Sequence, residues 1–302
     1  MQISEEYKII QKLGTQRKRK FGTTYLVENK VNSEKAVLKS YQKKNNQDAL
    51  MQRLVDESSF SFNRYSLPKV IQFEQSENEA LLLLRYKEGI TIDAYWKTLR
   101  KKEKIPFLIH FFEKIATIFK QLLEGNVVHC DIKPSNILIE KKHDSFEVHL
   151  IDFGLAIRTN KTTFRPLLFP LGFAAPELLL NHLDIVSQKT DQFSLGIVIW
   201  RLFANQLPLA HPNPSIFTNL QLTHPLPANS NVPRKVIKIL ARMTVKHQFK
   251  VPPNKMMTDD VKKLLEAAIK ERYSSFEEVL AQFKALEKQE NGLQKLRHLF
   301  TK

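Results

Sequence analysis

His129-Cys130-Asp131-Ile132-Lys133-Pro134-Ser135-Asn136-Ile137-Leu138 sets an acid, a base and an amide between apolar runs. Val127-Val128 precede the segment and Ile137-Leu138-Ile139 close it. Two short buried strand-like pieces are therefore expected to hold a polar loop at a fixed position. Lys133 follows Asp131 by two residues and Asn136 follows it by five, an arrangement that suits phosphoryl transfer. The carboxylate can accept a hydroxyl proton, the ammonium can neutralise a phosphate oxygen, and the amide oxygen can coordinate a metal ion. A polar surface turn has a similar composition, so the context of the loop has to decide.

Working outward, Val148-His149-Leu150-Ile151 reads as a short strand that ends in Asp152-Phe153-Gly154, sixteen residues after Asn136. An acid at a strand end before a glycine can face a metal. Toward the amino terminus, residues 7–13, 22–27 and 35–39 read as strands, with a turn at Asn32-Ser33. Residues 46–62 carry helical spacing in Leu50, Leu54 and Val55, and residues 70–74 and 80–84 form a further hairpin. From Ile92 the pattern turns helical, led by an apolar helix from Ile105 to Leu123 that Gly125 ends. This change near residue 87 marks the expected boundary between a strand-rich and a helix-rich part.

These segments, over about residues 7 to 285, resemble the eukaryotic-like Ser/Thr protein kinase family, and its motifs stand here in the family's order. His129-Cys130-Asp131-Ile132-Lys133-Pro134-Ser135-Asn136 is similar to the catalytic loop, with cysteine where arginine is usual. The resemblance implies an α+β, bilobal protein kinase fold. A small antiparallel β-sheet lobe with one helix (1–86) would bind nucleotide. A larger, mainly helical lobe (87–302) would carry the catalytic loop and activation segment, with a basic helical tail from about 285 to 302. It also implies ATP and Mg²⁺ as cofactors.

Leu13-Gly14 and Phe21-Gly22-Thr23-Thr24-Tyr25 resemble the two ends of the glycine-rich loop. Between them the second glycine is absent, and Thr15 to Lys20 lengthen the loop by about three residues against the family's spacing. Arg17 to Lys20 add charge above the phosphates or form a solvated hairpin tip. Lys39 matches the lysine that holds the α- and β-phosphates. Glu57, ahead of Asp56, is its expected partner. Arg85-Tyr86-Lys87-Glu88-Gly89 resembles the hinge that holds adenine by backbone groups, with Leu84 at the gatekeeper position. The nucleotide set implied is Gly14, Gly22, Lys39, Glu57, Tyr86, Lys87, Leu138 and Asp152. Asn136 and Asp152 would hold the metal. Asp131 would accept the substrate proton, and Lys133 would stabilise the moving phosphoryl group. Lys133 points to serine or threonine substrates.

Ala175-Pro176-Glu177 with Arg272, and Asp191 at a buried helix start, match structural elements that small-molecule kinases generally lack. Two departures bear on function. Cys130 removes the arginine that grips a phosphorylated activation segment in many kinases, so activity is expected not to depend on that phosphorylation. Pro170 stands where Ser/Thr kinases place a threonine beside the substrate. A pseudokinase acting as a nucleotide-binding scaffold is the alternative reading.

The net charge of +16 favours acidic partner surfaces in addition to the protein substrate. No nucleic-acid module stands out, so nucleic acid is not expected as the primary partner. Neither a membrane-spanning run nor a signal-like start is visible, and the single Cys130 fits a reducing, cytoplasmic setting. His211 and His224 in the proline-rich stretch 207–234 read as loop residues, since no third metal ligand accompanies them. The basic tail either packs on the large lobe or presents a docking face, and the oligomeric state is open.

Overall fold

The computed structural model describes residues 2–14, 22–43, 48–160, 169, 171–249 and 251–300. The middle of the glycine-rich loop, Thr162, Thr163 and Pro170 lie outside them. The chain opens with α1 (Gln2–Glu6), β1 (Tyr7–Leu13), β2 (Thr23–Asn29), β3 (Lys35–Gln42), α2 (Asp48–Ser58), β4 (Val70–Gln75) and β5 (Glu79–Arg85). Next come β6 (Ile90–Thr91), α3 (Ile92–Thr98), α4 (Lys104–Glu124), β7 (Val127–Val128), β8 (Ile137–Lys141), β9 (Phe146–Leu150) and β10 (Ile157–Arg158). The remainder is helical: α5 (Pro176–Leu179), α6 (Gln188–Ala204), α7 (Pro214–Thr223), α8 (Arg234–Met243), α9 (Thr258–Glu271) and α10 (Phe276–Phe300). Two compact units result. The first joins residues 1–90 to 138–155, and the second joins 91–137 to 156–302.

The first unit is an antiparallel sheet in the order β1-β2-β3-β5-β4. Strand β5 reads Ala80-Leu81-Leu82-Leu83-Leu84 without polar alternation because both of its faces are covered. Leu81 and Leu83 pack with Val27, Ala36, Leu38 and Ile3 on one side. Ala80, Leu82 and Leu84 pack with Tyr41, Met51 and Leu54 on the other, where α2 lies. Ile3 belongs to α1, which the polar first residues had not revealed as a packed element. One apolar side chain in five residues is too little for a periodic signal.

In the second unit, α4 and α10 are tied by stacked rings. Phe112 and Phe283 are 4.9 Å apart between centroids, and Phe119 and Phe276 are 4.1 Å apart. Lys284, just before the basic tail, adds a 2.7 Å ion pair to Glu113. Helix α6 is buried on all sides, with Phe193, Leu195, Ile197, Val198 and Trp200 fully enclosed. Helix α7 lies within the proline-rich stretch 207–234, between His211 and His224, which both stand outside helices. Asn213 caps it by accepting from the N–H groups of Ser215 and Ile216, and Pro214 fills its first turn where no N–H is needed. Among the described residues no helix is long and apolar enough to cross a membrane, and no cluster of His, Cys, Asp and Glu resembles a metal site.

Candidate active-site residues

In the first unit the β-ladder sets Lys39 on β3 opposite Thr24 on one neighbour and Leu82 on the other. Its ammonium lies 2.6 Å from Glu57 Oε1 and 2.8 Å from Asp152 Oδ1. Burial opposes the charge on Lys39, but Asp152 and Glu57 together outweigh it and hold the ammonium above the usual lysine range. The lysine is thus a fixed cation. Burial also pushes the Glu57 carboxyl up against the pull of Lys39. Arg53, one turn earlier on α2, lies beside Gly154 and adds a favourable charge to Glu57. Sequence reading missed Arg53, although its i,i+4 spacing from Glu57 is visible along the chain.

Asp152 keeps its side chain about one-third exposed, so it can reach a cation while braced by Lys39. Its backbone sits at φ 66°, a left-handed conformation that is uncommon outside glycine. The following Phe153 is buried against Phe60 and Phe62, with centroids 6.1 and 5.4 Å away, which anchors the turn. Gly22 has φ +90°, and a Cβ there would stand 2.7 Å from the Ser40 carbonyl oxygen. Only glycine fits that approach. Gly14 also has positive φ, with open space where a side chain would begin.

Lys87 differs in kind from the other nucleotide candidates. Its ammonium turns inward, donates to the Tyr65 carbonyl and lies over the Tyr65 ring. Burial and the neighbouring Arg85 bring it down to about 8. Its side chain is therefore occupied, and only its backbone remains for a hinge contact. Tyr65 in turn donates to Glu140 (2.8 Å), which also meets His149 at 3.0 Å. Burial opposes the Glu140 charge, yet bonds from Lys142, Tyr65 and His149 hold it at about 2. No local spacing links positions 65, 140 and 149, so this network was invisible in the sequence. Tyr86 and Leu138 are both half-buried.

In the second unit the loop 129–136 draws three of the expected residues together. Lys133 Nζ lies 2.5 Å from Asp131 Oδ2. Asn136 Nδ2 donates to the Asp131 carbonyl (2.9 Å) and to Asp131 Oδ2 (3.0 Å). Asp131 N donates to His129 Nδ1 at 3.2 Å. Loop curvature comes from Cys130, at φ 61°, and Asp191 holds it there. Asp191 accepts from the N–H groups of His129 and Cys130, each at 2.8 Å. Burial pushes Asp191 up to about 7. The two backbone bonds work against this, while Asp131 and Glu177 reinforce it. Burial likewise raises the Cys130 thiol well above its usual range, so it stays a neutral, packed side chain.

Below the loop, Arg272 makes a two-pronged pair with Glu177. Nη1 meets Oε1 at 2.6 Å and Nη2 meets Oε2 at 3.0 Å. Arg272 also donates to the carbonyls of Lys189 (3.1 Å) and Val245 (3.4 Å), and its guanidinium lies 4.9 Å from the Phe193 ring centroid. Every prong of this buried cation has a partner, which is what makes its burial tolerable.

The model of the protein kinase domain family matches residues 7–283. The serine/threonine-protein kinase PrkC of Bacillus subtilis is 25% identical over 203 residues, covering 64% of this chain and 30% of that protein. A putative mitogen-activated protein kinase kinase kinase 7-like protein of Drosophila melanogaster is 37% identical over 98 residues, covering 32% and 23%. The matches thus span less than a third of the length of these relatives. The kinase PK-1 of Cydia pomonella granulovirus shares the fold, with a TM-score of 0.62 at 18% identity over 92% of this chain and 94% of that one. With a family match over nearly its whole length, a bilobal kinase fold and the loop and ion pairs described above, the chain belongs to the protein kinase domain family.

Proposed function

We propose that the protein transfers the γ-phosphoryl group of ATP to serine or threonine hydroxyls of protein substrates. The observation that carries this reading is the Asp131–Lys133–Asn136 cluster. A carboxylate, an ammonium and an amide share one buried loop with 2.5 to 3.0 Å contacts. Asp131 orients the acceptor hydroxyl and takes its proton. Lys133 offsets charge on the moving phosphoryl group, and Asn136 keeps the Asp131 carboxylate oriented. Lys39, fixed by Glu57, holds the nonreacting phosphates, and Gly14 and Gly22 let the backbone approach them. Tyr86, Lys87 and Leu138 border the adenine, Lys87 through its backbone. Residues 1–86 supply most of the nucleotide contacts, joined by Lys87, Leu138 and Asp152, and 87–302 also carry the chemistry and substrate.

The residues fit Mg·ATP. Asp152 offers a partly exposed carboxylate beside a fixed cation, and Asn136 supplies an amide oxygen. Mg²⁺ typically takes only one or two protein ligands and completes its shell with phosphate oxygens and water. Bound there, it would neutralise phosphate charge. Serine or threonine is favoured over tyrosine by Lys133 and by the similarity to PrkC, a serine/threonine-protein kinase. The buried, solitary Cys130 supports placement in the cytoplasm.

The test is phosphate transfer from labelled ATP, with Mg²⁺, to the protein itself and to a generic basic protein, using wild type and Asp131→Asn. Phosphoserine or phosphothreonine that disappears in the variant is expected. Thermal stabilisation by Mg·ATP without transfer would replace the reading with a nucleotide-binding scaffold. The absence of both transfer and stabilisation would overturn the reading.

A further inference from the structure

The side chains of Lys87, Tyr65, Glu140 and His149 make none of the phosphate or metal contacts proposed above, yet they form one connected network in the first unit. Lys87 is buried, although Arg85 and Glu88 in the same short segment are exposed. A lysine there could leave its ammonium in water, where a cation is best solvated. Instead the ammonium donates inward to the Tyr65 carbonyl and lies 4.9 Å from the Tyr65 ring centroid. Turning a cation out of water toward a neutral carbonyl is unfavourable by itself. Its effect lies in the geometry it fixes.

The acceptor of that bond is itself held from two strands. His149 on β9 places Nδ1 3.2 Å from the same Tyr65 carbonyl oxygen and Nε2 3.0 Å from Glu140 Oε2 on β8. Tyr65 Oη donates to Glu140 Oε2 at 2.8 Å, and Lys142 meets the other carboxylate oxygen. Tyr65 is thus gripped at its carbonyl and at its hydroxyl. Gly89, two residues after Lys87, is tied to β8 as well. It has φ +120°, and a Cβ there would stand 2.7 Å from the Ile139 carbonyl oxygen and 3.0 Å from Glu140 N. Only glycine lets the chain lie so close. Among the described residues the backbone N–H and C=O groups of Tyr86, Lys87 and Glu88 have no hydrogen-bond partner. The inward side chain of Lys87 and the close approach of Gly89 are therefore what holds this segment in place.

We propose that Tyr65, Glu140, His149 and the Lys87 ammonium are positioning residues that fix the hinge backbone in the register that accepts adenine and rejects guanine. The inference rests on the nucleotide reading given above. Adenine offers an amino donor where guanine offers a carbonyl acceptor. A backbone held at fixed points pairs with one pattern and leaves its own buried groups unpaired against the other. A backbone free to shift would adapt to both. Tyr65, Glu140 and His149 touch no part of the nucleotide in this arrangement. They act through Lys87, and the base alone should report their loss.

The experiment titrates the full chain with ATP, GTP and inorganic tripolyphosphate, each with Mg²⁺, by calorimetry. Wild type is compared with Lys87→Met, Glu140→Gln and the double variant, and with Ile3→Ala, which opens the core of the same sheet away from the network. ATP is expected to bind about tenfold more weakly to each single variant, with GTP and tripolyphosphate little changed, so the preference for ATP over GTP shrinks. The double variant should lose no more than the worse single one, because both act through one segment. Ile3→Ala should lower the melting temperature and leave the preference intact. An unchanged preference in both single variants, an equal loss of all three ligands, or the same shift in Ile3→Ala would overturn the inference. So would a wild type that binds ATP and GTP alike. A wild type that binds none of the three would overturn the nucleotide reading itself, and this inference with it. Tyr65→Phe removes only the hydroxyl bond to Glu140 and repeats the comparison should the other variants perturb folding.

Discussion

Replacing Arg272 with methionine tests the buried ion pair beneath the catalytic loop. The guanidinium is fully enclosed, meets both oxygens of Glu177 at 2.6 and 3.0 Å, and donates to two backbone carbonyls. Methionine fills much of the volume but leaves the fully buried Glu177 carboxylate without the guanidinium that offsets it. Breaking such a pair from one side costs about 3–5 kcal/mol. At about 2–4 °C per kcal/mol for a domain of this size, the melting temperature should fall by on the order of 10 °C. Urea unfolding followed by tryptophan fluorescence, with an unchanged denaturant slope, measures the loss directly. Removing both charges, as Glu177→Leu/Arg272→Met, should recover a large part of it, because the penalty lies in the orphaned carboxylate. A loss below about 1 kcal/mol, the range of exposed pairs, would refute the reasoning. So would a double variant as unstable as the sum of the single ones.

Other outcomes follow from the same geometry. Lys39→Met removes the cation between Glu57 and Asp152, and should abolish thermal stabilisation by Mg·ATP and lower transfer by about 10²-fold or more. Asp191 is raised from 3.8 to about 7 in the folded protein. A carboxyl whose folded value exceeds its unfolded one stabilises most below the unfolded value, and that contribution is lost as pH rises through the folded value. Stability should therefore fall between about pH 4 and 7, by roughly 4 kcal/mol at 1.36 kcal/mol per unit. Asp191→Asn should flatten that slope in melting curves taken across the interval. An identical slope would show that another group titrates. Thr159→Ala/Thr162→Ala/Thr163→Ala should leave phosphate transfer unchanged, because neutral Cys130 offers no charge to a phosphate. A large loss in this triple variant would contradict that reading.

The strand-rich start was legible because β5, covered on both faces, reads as an unbroken aliphatic run, while the apolar positions of α2 carry a helical period. The loop at 129–136 was legible because acid, base and amide stand close in sequence, so their meeting needs only one turn. Lys39, Glu57 and Asp152 are far apart along the chain, and the family resemblance alone brought them together. What stayed hidden had no local signature. Ile3 seals the sheet from a five-residue helix, and Asn213-Pro214 start a helix inside the proline-rich stretch 207–234. Tyr65, Glu140 and His149 come from three separate segments. The inward turn of Lys87 was hidden for another reason, since a lysine after an exposed arginine ordinarily reads as surface.

The buried charges of the second unit serve one geometry. Cys130 must adopt a left-handed backbone for the loop to turn back on itself, which is unfavourable for a residue with a side chain. The N–H groups of His129 and Cys130 point inward as a result, and an unpaired buried N–H is costly. Asp191 satisfies both at once, at the cost of placing a carboxylate where water does not reach. Glu177 adds a second buried acid to the same interior, and Arg272 offsets it from the start of the segment leading into α10. For the Glu177–Arg272 pair, stability alone would be served as well by apolar residues. An apolar interior would leave the two N–H groups unpaired and Cys130 free to relax to negative φ. Asp131 would then lose the backbone that sets its carboxylate against Lys133 and Asn136. Asp191 holds the loop in one conformation through these two bonds, and substitutions there should therefore lower transfer more than their effect on stability alone predicts.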